Sequence, residues 1–221
     1  MTHSVQSLAH SVRLTHSTPD GDQLIAYMAR VSNPANQANT ETSARLIRYL
    51  IDNKHWSPLE MVSMCVEIQT TRSISAQILR HRSFSFQEFS QRYAEVQLRP
   101  EIPELRRQDL KNRQNSIDDL NPYDSQGLQT EIARHFVESS KLYQRLLDYG
   151  VAKECAREVL PLATPTRLYM HGTLRSWVHY CELRCGNGTQ LEHRVIADGC
   201  KELIGRCFPD VYEAVWRRSD T

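Results

Sequence analysis

The chain has 221 residues, of which 40% are hydrophobic and 24% charged, and its net charge is +1 at pH 7. That is enough for one sizeable core, and too near neutral for a protein that grips duplex nucleic acid with a whole basic face. No stretch could span a bilayer, the start "MTHSVQSLAHSVRL" has no signal-peptide core, and six scattered cysteines read as reduced thiols, so a cytoplasmic protein without membrane partners is expected.

In chain order, "ETSARLIRYLIDNKH" (41–55) carries Leu46, Ile47, Leu50 and Ile51 on one helical stripe. In "SPLE" Ser57 reads as an N-cap, with Pro58 at the first helical position and Glu60 three residues after the cap. "VSMCVEIQ" (62–69) alternates as a strand does, with Val62, Met64, Val66 and Ile68 on one face. "SISAQILRHR" (73–82) reads as a short helix whose last turn carries Arg80, His81 and Arg82. Residues 97–128 are polar and punctuated by proline, which predicts a long surface excursion. "EIARHFVESSKLYQRLLDYG" (131–150) is an amphipathic helix ending at Gly150, and "AKECAREVLP" (152–161) another, stopped by Pro161. A strand in "TRLYMHGTL" (166–174), a helix in "RSWVHYCELRC" (175–185) and a last long helix in "TQLEHRVIADGCKELIGRCF" (189–208) complete the chain. There is no repeat, no linker and no regular strand–helix alternation, so one α+β domain over 1–221 is expected.

The stretch "RHRSFSFQEFSQRY" (80–93) holds three arginines, a histidine, three phenylalanines, three serines and a single carboxylate. Cations ending a helix complement its dipole, and that alone would explain Arg80, His81 and Arg82. The hydroxyls of Ser83, Ser85 and Ser90 and the further guanidinium that Arg92 adds point further, because planar guanidinium forks suit phosphate. Phe84, Phe86 and Phe89 offer walls for a planar ring. A phosphorylated, ring-containing ligand fits both features. Neither a G-x-G-x-x-G nor a P-loop sequence occurs, so side chains rather than a glycine-rich loop would hold it.

These residues resemble the RHR-x7-S motif of the flavin-dependent thymidylate synthases, the ThyX family. Arg80-His81-Arg82, seven residues and Ser90 are in register, and "ARVSNP", "HWSPLE", "AREVLP" and "RSW...LR" extend the likeness over roughly residues 25 to 210. The resemblance implies a single-domain α+β fold with helices packed on a mostly antiparallel sheet. It implies methylation of dUMP to dTMP, with methylenetetrahydrofolate as carbon donor, FAD as cofactor, NADPH as reductant, and a homotetramer whose sites are shared between subunits. By position, Ser57, Arg80, His81, Arg82, Thr173, Arg175 and His179 would contact FAD. Gln77, Arg80, Glu88, Ser90, Gln91, Arg92 and Arg157 would hold the nucleotide, and Arg184 would favour the anionic uracil ring as the catalytic group. His55 is a further contact candidate. Many members have Asn where this chain has Thr173, and His where it has Gly188 in "CGNGTQ".

Other readings compete. A single-stranded nucleic-acid module could use Arg–Phe alternation to clamp phosphate and stack bases, against the near-neutral charge. A catalytically silent nucleotide binder would keep the motif and lose the chemistry. His179, Cys181, Cys185 and His193 stand at spacings that could hold zinc, although Cys181 and Cys185 are more simply core thiols, and no metal is expected. A cysteine nucleophile has no place in the motif. His179 read by itself is a buried histidine packed on Trp177 and Tyr180, and Ser57 with Glu60 a plain capping box.

Overall fold

The structure, a computed structural model, describes residues 10–96 and 101–217. Its strands are β1 (Ser11–Ser17), β2 (Ser63–Thr71), β3 (Ser85–Glu88), β4 (Arg107–Gln108), β5 (Ser116–Ile117) and β6 (Pro165–Thr173). Its helices are α1 (Gly21–Ala29), α2 (Ser43–Asp52), α3 (Arg72–Ile78), α4 (Pro122–Asp148), α5 (Lys153–Ala156), α6 (Leu174–Arg184), α7 (Leu191–Cys207) and α8 (Pro209–Trp216). The main sheet has the order β1-β2-β6-β3 and every pairing in it is antiparallel. β4 and β5 form a separate two-stranded ribbon. The α+β expectation holds.

Alternation sets which face of the sheet is covered. Met64, Val66 and Ile68 of β2 and Leu168 and Met170 of β6 are fully buried under α6 and α7. Trp177 of α6 is buried with them and donates its indole N–H to the Met64 carbonyl at 2.9 Å, which ties the helix to the sheet. A second, smaller cluster gathers Val96, Tyr143 and Ala156 with Phe89 and Val159.

Several boundaries differ from the sequence expectations. α3 stops at Ile78, and Arg80 and His81 follow in tight turns closed by bonds to the Gln77 and Ile78 carbonyls. They lie just beyond the C-cap Leu79 and not in the last turn itself. α4 begins at Pro122, nine residues before the predicted start, because Asn121 caps it through the Tyr123 N–H and Pro122 takes the first helical position. The excursion therefore ends at residue 121, and its residues 97–100, like the start of the chain over residues 1–9, lie outside the described residues. Gly150 stops α4 as expected, with φ +77°. The predicted 152–161 helix is one turn, α5, followed by a 3-10 turn at Arg157–Val159, since Leu160 before Pro161 must be extended. Ser57 opens a 3-10 turn, Ser57–Glu60, without capping it through its side chain. The capping box is absent.

The motif hides a strand. β3 lies within "FSFQEF" and pairs along β6, from Ser85 opposite His171 to Glu88 opposite Leu168. Phe84 just before it is buried in the main core, 4.7 Å from the Trp177 ring. Its ring lies over Gly172, where an added Cβ would come within 2.5 Å of it. Phe86 packs on the same core and Phe89 on the small cluster. Phe84 is a core residue, Phe86 and Phe89 are half-buried, and none of the three lines either cavity of the candidate site.

Candidate active site

α6 presents Arg175 and His179 one turn apart, both exposed, while Trp177 is buried in the core. Both line a cavity of about 420 Å³ with Trp56, Glu60, Ser83 and Glu182. The Arg175 guanidinium forms an ion pair with the Glu60 carboxylate across the opening. His179 is exposed to this cavity and is not the buried histidine that its sequence neighbours suggest.

Beyond the cavity wall, the C-terminal end of α6 meets the motif turn. Arg184 donates Nε–H to His81 Nε2 at 3.0 Å, so the His81 ring is neutral and its proton sits on Nδ1. Burial first, then the positive charge of Arg184 and the neighbouring His179, push the His81 pKa down to about 4. The ring stands edge-on to Tyr180 at 4.9 Å.

A directed hydrogen-bond chain runs beneath this pair. Gln77 gives its amide N–H to Gln190 Oε1 at 2.7 Å, which leaves its own Oε1 as the acceptor for His193 Nδ1–H at 3.3 Å. His193 Nε2 then carries no proton and accepts the Tyr180 hydroxyl at 3.1 Å. His193 is fully buried, and burial, then the charges of Arg184 and His81, depress its pKa to about 3. This chain fixes which end of the Gln77 amide faces which partner. Sequence reasoning placed His193 only in a zinc set; its signal was a histidine on the inner face of an amphipathic helix.

On the far side of the sheet edge, Glu88 Oε1 accepts from three donors: Ser75 Oγ at 2.6 Å, Arg72 Nη1 at 2.7 Å and Thr166 Oγ1 at 2.9 Å. Arg72 with Gln91 and Arg157 lines a second cavity, of about 350 Å³, closed by Leu160, Leu162 and Thr164. Gln91 is buried and its Nε2 has no hydrogen-bond partner among the described residues. Arg157 pairs with Glu158 at 3.5 Å, and Arg92 with Glu154 at 3.2 Å on the surface.

The structure thus gathers Gln91 and Arg157 in one cavity, Arg175 and His179 in another, and His81, Gln77 and Arg184 between α3, α6 and α7. Arg80, Arg82, Ser57, Ser90 and His55 are exposed outside the residues lining either cavity. The zinc set does not converge: Cys181 is buried with Sγ towards the Ala197 carbonyl, and His193 is held by Tyr180 and Gln77. Among the described residues no group of three histidine, cysteine or acidic side chains could hold a metal, and no helix is long and apolar enough to cross a membrane.

The comparisons with known proteins bear on the same residues. Residues 13–210 match the family model described as "Thymidylate synthase complementing protein". A protein of Paramecium bursaria Chlorella virus 1, called a probable flavin-dependent thymidylate synthase, is 52% identical over 88% of this chain and 90% of its own length. The chain belongs to the flavin-dependent thymidylate synthases. Another member of that family, from Synechocystis, is 50% identical over 90% of both chains. A crystal structure of a UMP/dUMP methylase from Streptomyces cacaoi bound with 5-Br dUMP superimposes with a TM-score of 0.84 at 30% identity, covering 93% of each chain.

In this flavin-dependent thymidylate synthase, Thr173 and Gly188 stand where the family resemblance implies Asn and His. Thr173 caps α6 by accepting the Ser176 N–H at 3.4 Å, a task that Asn or Thr can perform. Gly188 has φ +107°, a backbone state that a histidine would enter only with strain.

Proposed function

We propose that the protein converts dUMP to dTMP, taking the carbon from methylenetetrahydrofolate and the hydride from FAD reduced by NADPH. One observation carries the assignment to this chain's own residues: the 3.0 Å bond between Arg184, which the family pattern assigns to uracil, and His81, which it assigns to the flavin. A site that passes hydride from a flavin to a pyrimidine needs those two regions in contact. His81 occupies Nε of Arg184 and leaves the two terminal nitrogens free to donate to the uracil ring as it becomes anionic. Arg184 cannot deprotonate, so it stabilises that anion without accepting a proton.

The cavity of Trp56, Arg175 and His179 fits part of FAD, with a wall for a ring, a cation and an imidazole at one opening. When bound, reduced flavin supplies hydride. Arg175, His179 and Ser83 would hold it there, and Arg80 and Arg82, which are exposed, would reach it from the motif turn. Gln77, Gln91 and Arg157 would orient the nucleotide, with Glu88, Ser90 and Arg92 from the same motif.

Two features support a homotetramer with shared sites. A cavity of about 420 Å³ is at the small end for ligand pockets, about 300–1,000 Å³, and is too small for all of FAD with a nucleotide and a folate. The 27-residue α4 buries only Ser139 and Tyr143 and exposes Leu128, Val137 and Leu142, although helices draw most of their stability from packing. All six cysteines are free, which supports a reducing, cytoplasmic location.

The test is rescue of a thymidine-requiring cell, joined to an assay of the purified protein. Growth without thymidine, a yellow protein, and dTMP formed only with dUMP, methylenetetrahydrofolate and reductant together are expected. A folded, FAD-loaded protein that forms no dTMP overturns the proposal.

A further inference from the structure

We propose that His193 is a positioning residue for the nucleotide, holding the Gln77 amide so that one of its N–H groups is presented to an oxygen of dUMP. The inference rests on the reading of the chain as a dUMP-methylating enzyme with Gln77 on the nucleotide. It adds to that reading a residue outside both the RHR-x7-S motif and the "RSW...LR" block.

Three observations carry it. The first is a polar ring where packing alone asks for none. His193 is fully buried on the inner face of α7, whose other inward residues are Ile196, Ala197, Cys200, Leu203 and Ile204. Burying an imidazole costs free energy unless its ring nitrogens are paired. Both are paired, Nδ1 with Gln77 at 3.3 Å and Nε2 with Tyr180 at 3.1 Å. A buried network with every member satisfied selects one arrangement of its side chains.

The second observation is the direction of that network. Tyr180 is fully buried, burial keeps its hydroxyl protonated far above neutral pH, and His193 is its one hydrogen-bond partner among the described residues. The hydroxyl therefore donates to Nε2, the imidazole proton sits on Nδ1, and Gln77 Oε1 is the acceptor. With Oε1 committed to His193, Gln77 Nε2 gives one hydrogen to Gln190 Oε1 at 2.7 Å and keeps the other without a partner among the described residues. Gln77 is half-buried, so that N–H is open to a ligand.

The third is location. The chain of bonds crosses from α6 to α7 to α3, and the His81 ring stands beside it, 4.9 Å from Tyr180 and 6.3 Å from His193. His81 in turn accepts from Arg184. The spare donor of Gln77 thus lies beside the pair that joins the uracil-assigned and flavin-assigned residues. Without His193 the Gln77 amide is free to turn end for end and offer its carbonyl, which repels an oxygen of the nucleotide.

The experiment titrates dUMP into the full-length, flavin-loaded protein and into variants that replace one ring nitrogen at a time. His193→Asn places an amide near the position of Nδ1 and keeps the bond to Gln77. His193→Gln reaches the position of Nε2 and keeps the bond to Tyr180, and His193→Leu keeps neither. dUMP binding is expected to stay within about threefold in His193→Asn and to fall about 5- to 20-fold in the other two, with KM raised more than kcat is lowered. Urea unfolding should rank the proteins differently, with His193→Asn and His193→Gln weakened to a similar degree. Affinity that follows stability, or equal loss of dUMP binding in His193→Asn and His193→Gln, would mean that His193 only braces the core, and overturns the proposal. So does a further loss of affinity when His193→Gln is added to Gln77→Ala, since an effect that passes through Gln77 vanishes with it. Where a His193 variant does not fold, Gln77→Ala at its half-buried position decides: weaker dUMP binding supports the proposal, and unchanged binding overturns it alone. If the unsubstituted protein binds no dUMP, the nucleotide reading fails and the inference falls with it.

Discussion

Arg184 Nε lies 3.0 Å from His81 Nε2, across 103 residues of sequence. The bond makes Arg184 depend on the protonation state of His81: the guanidinium needs an imidazole lone pair, and a protonated ring would offer a second donor instead.

The first prediction tests that pairing. Arg184→Ala should lower turnover about 100- to 1,000-fold, the usual cost of removing a preorganised donor to a developing anion. Arg184→Lys should recover little, because an ammonium cannot satisfy His81 and the ring with a planar fork. Steady-state kinetics, with bound FAD measured in each variant, reads the effect. Turnover within tenfold of the unsubstituted protein would remove Arg184 from the chemistry.

Ser90 invites a mistaken reading as a nucleophile, since it follows histidine and glutamate in the motif. Both candidate bases are engaged elsewhere, His81 with Arg184 and Glu88 Oε1 with Ser75, Arg72 and Thr166. Ser90→Ala should therefore weaken nucleotide binding and keep measurable turnover at saturating dUMP. Abolished turnover with normal binding of nucleotide and flavin would restore the nucleophile.

The proposed sharing of sites between subunits makes a prediction about mixtures. Arg157→Ala and Arg184→Ala proteins should each be nearly inactive, and subunit exchange between them should restore part of the activity. Native mass spectrometry establishes that mixed oligomers have formed. No recovery in such mixtures would show that each site closes within one chain.

Acid should weaken the fold through buried imidazoles. His81 and His193 are held neutral with pKa values of about 4 and about 3, against about 6.5 when unfolded. Between those limits the unfolded chain binds more protons, so their contribution is complete above about pH 6.5 and is lost as pH falls towards 4. Asp22 works the other way: burial raises its pKa to about 6, so stability is gained as pH falls through that value. The comparison with His193→Gln isolates the histidine. In urea unfolding, the unsubstituted protein should lose stability relative to this variant between pH 7 and 4.5. A constant difference between the two would show that His193 is not held neutral.

Much of the fold was legible because its periods are clean. β6 alternates in burial, β2 keeps Met64, Val66 and Ile68 on the core face although Cys65 and Glu67 between them are buried as well, and Ile47, Leu50 and Ile51 form the buried stripe of α2. What escaped notice was set by tertiary context. β3 has four residues beside three phenylalanines, too short for alternation to stand out, and only its partner β6 makes it a strand. The first turns of α4 are polar, and the cap at Asn121 was the signal within reach. In the site, the family blocks pointed to His81, Gln91 and Arg184, whereas Arg72 and His193 have neighbours in space that no spacing in the sequence discloses.

The pairing of β3 with β6 turns the seven-residue gap of the motif into a ruler. Phe86 and Glu88 share the inward face, with Ser85 and Gln87 outward, in register with His171 to Leu168. Removing or adding one residue between Arg82 and Ser90 would invert that order. Phe86 would swing into water while the carboxylate left Arg72, Ser75 and Thr166. The gap is thus measured in pleats: its length counts the residues that carry the chain from the His81 turn, along the sheet edge, to the serine.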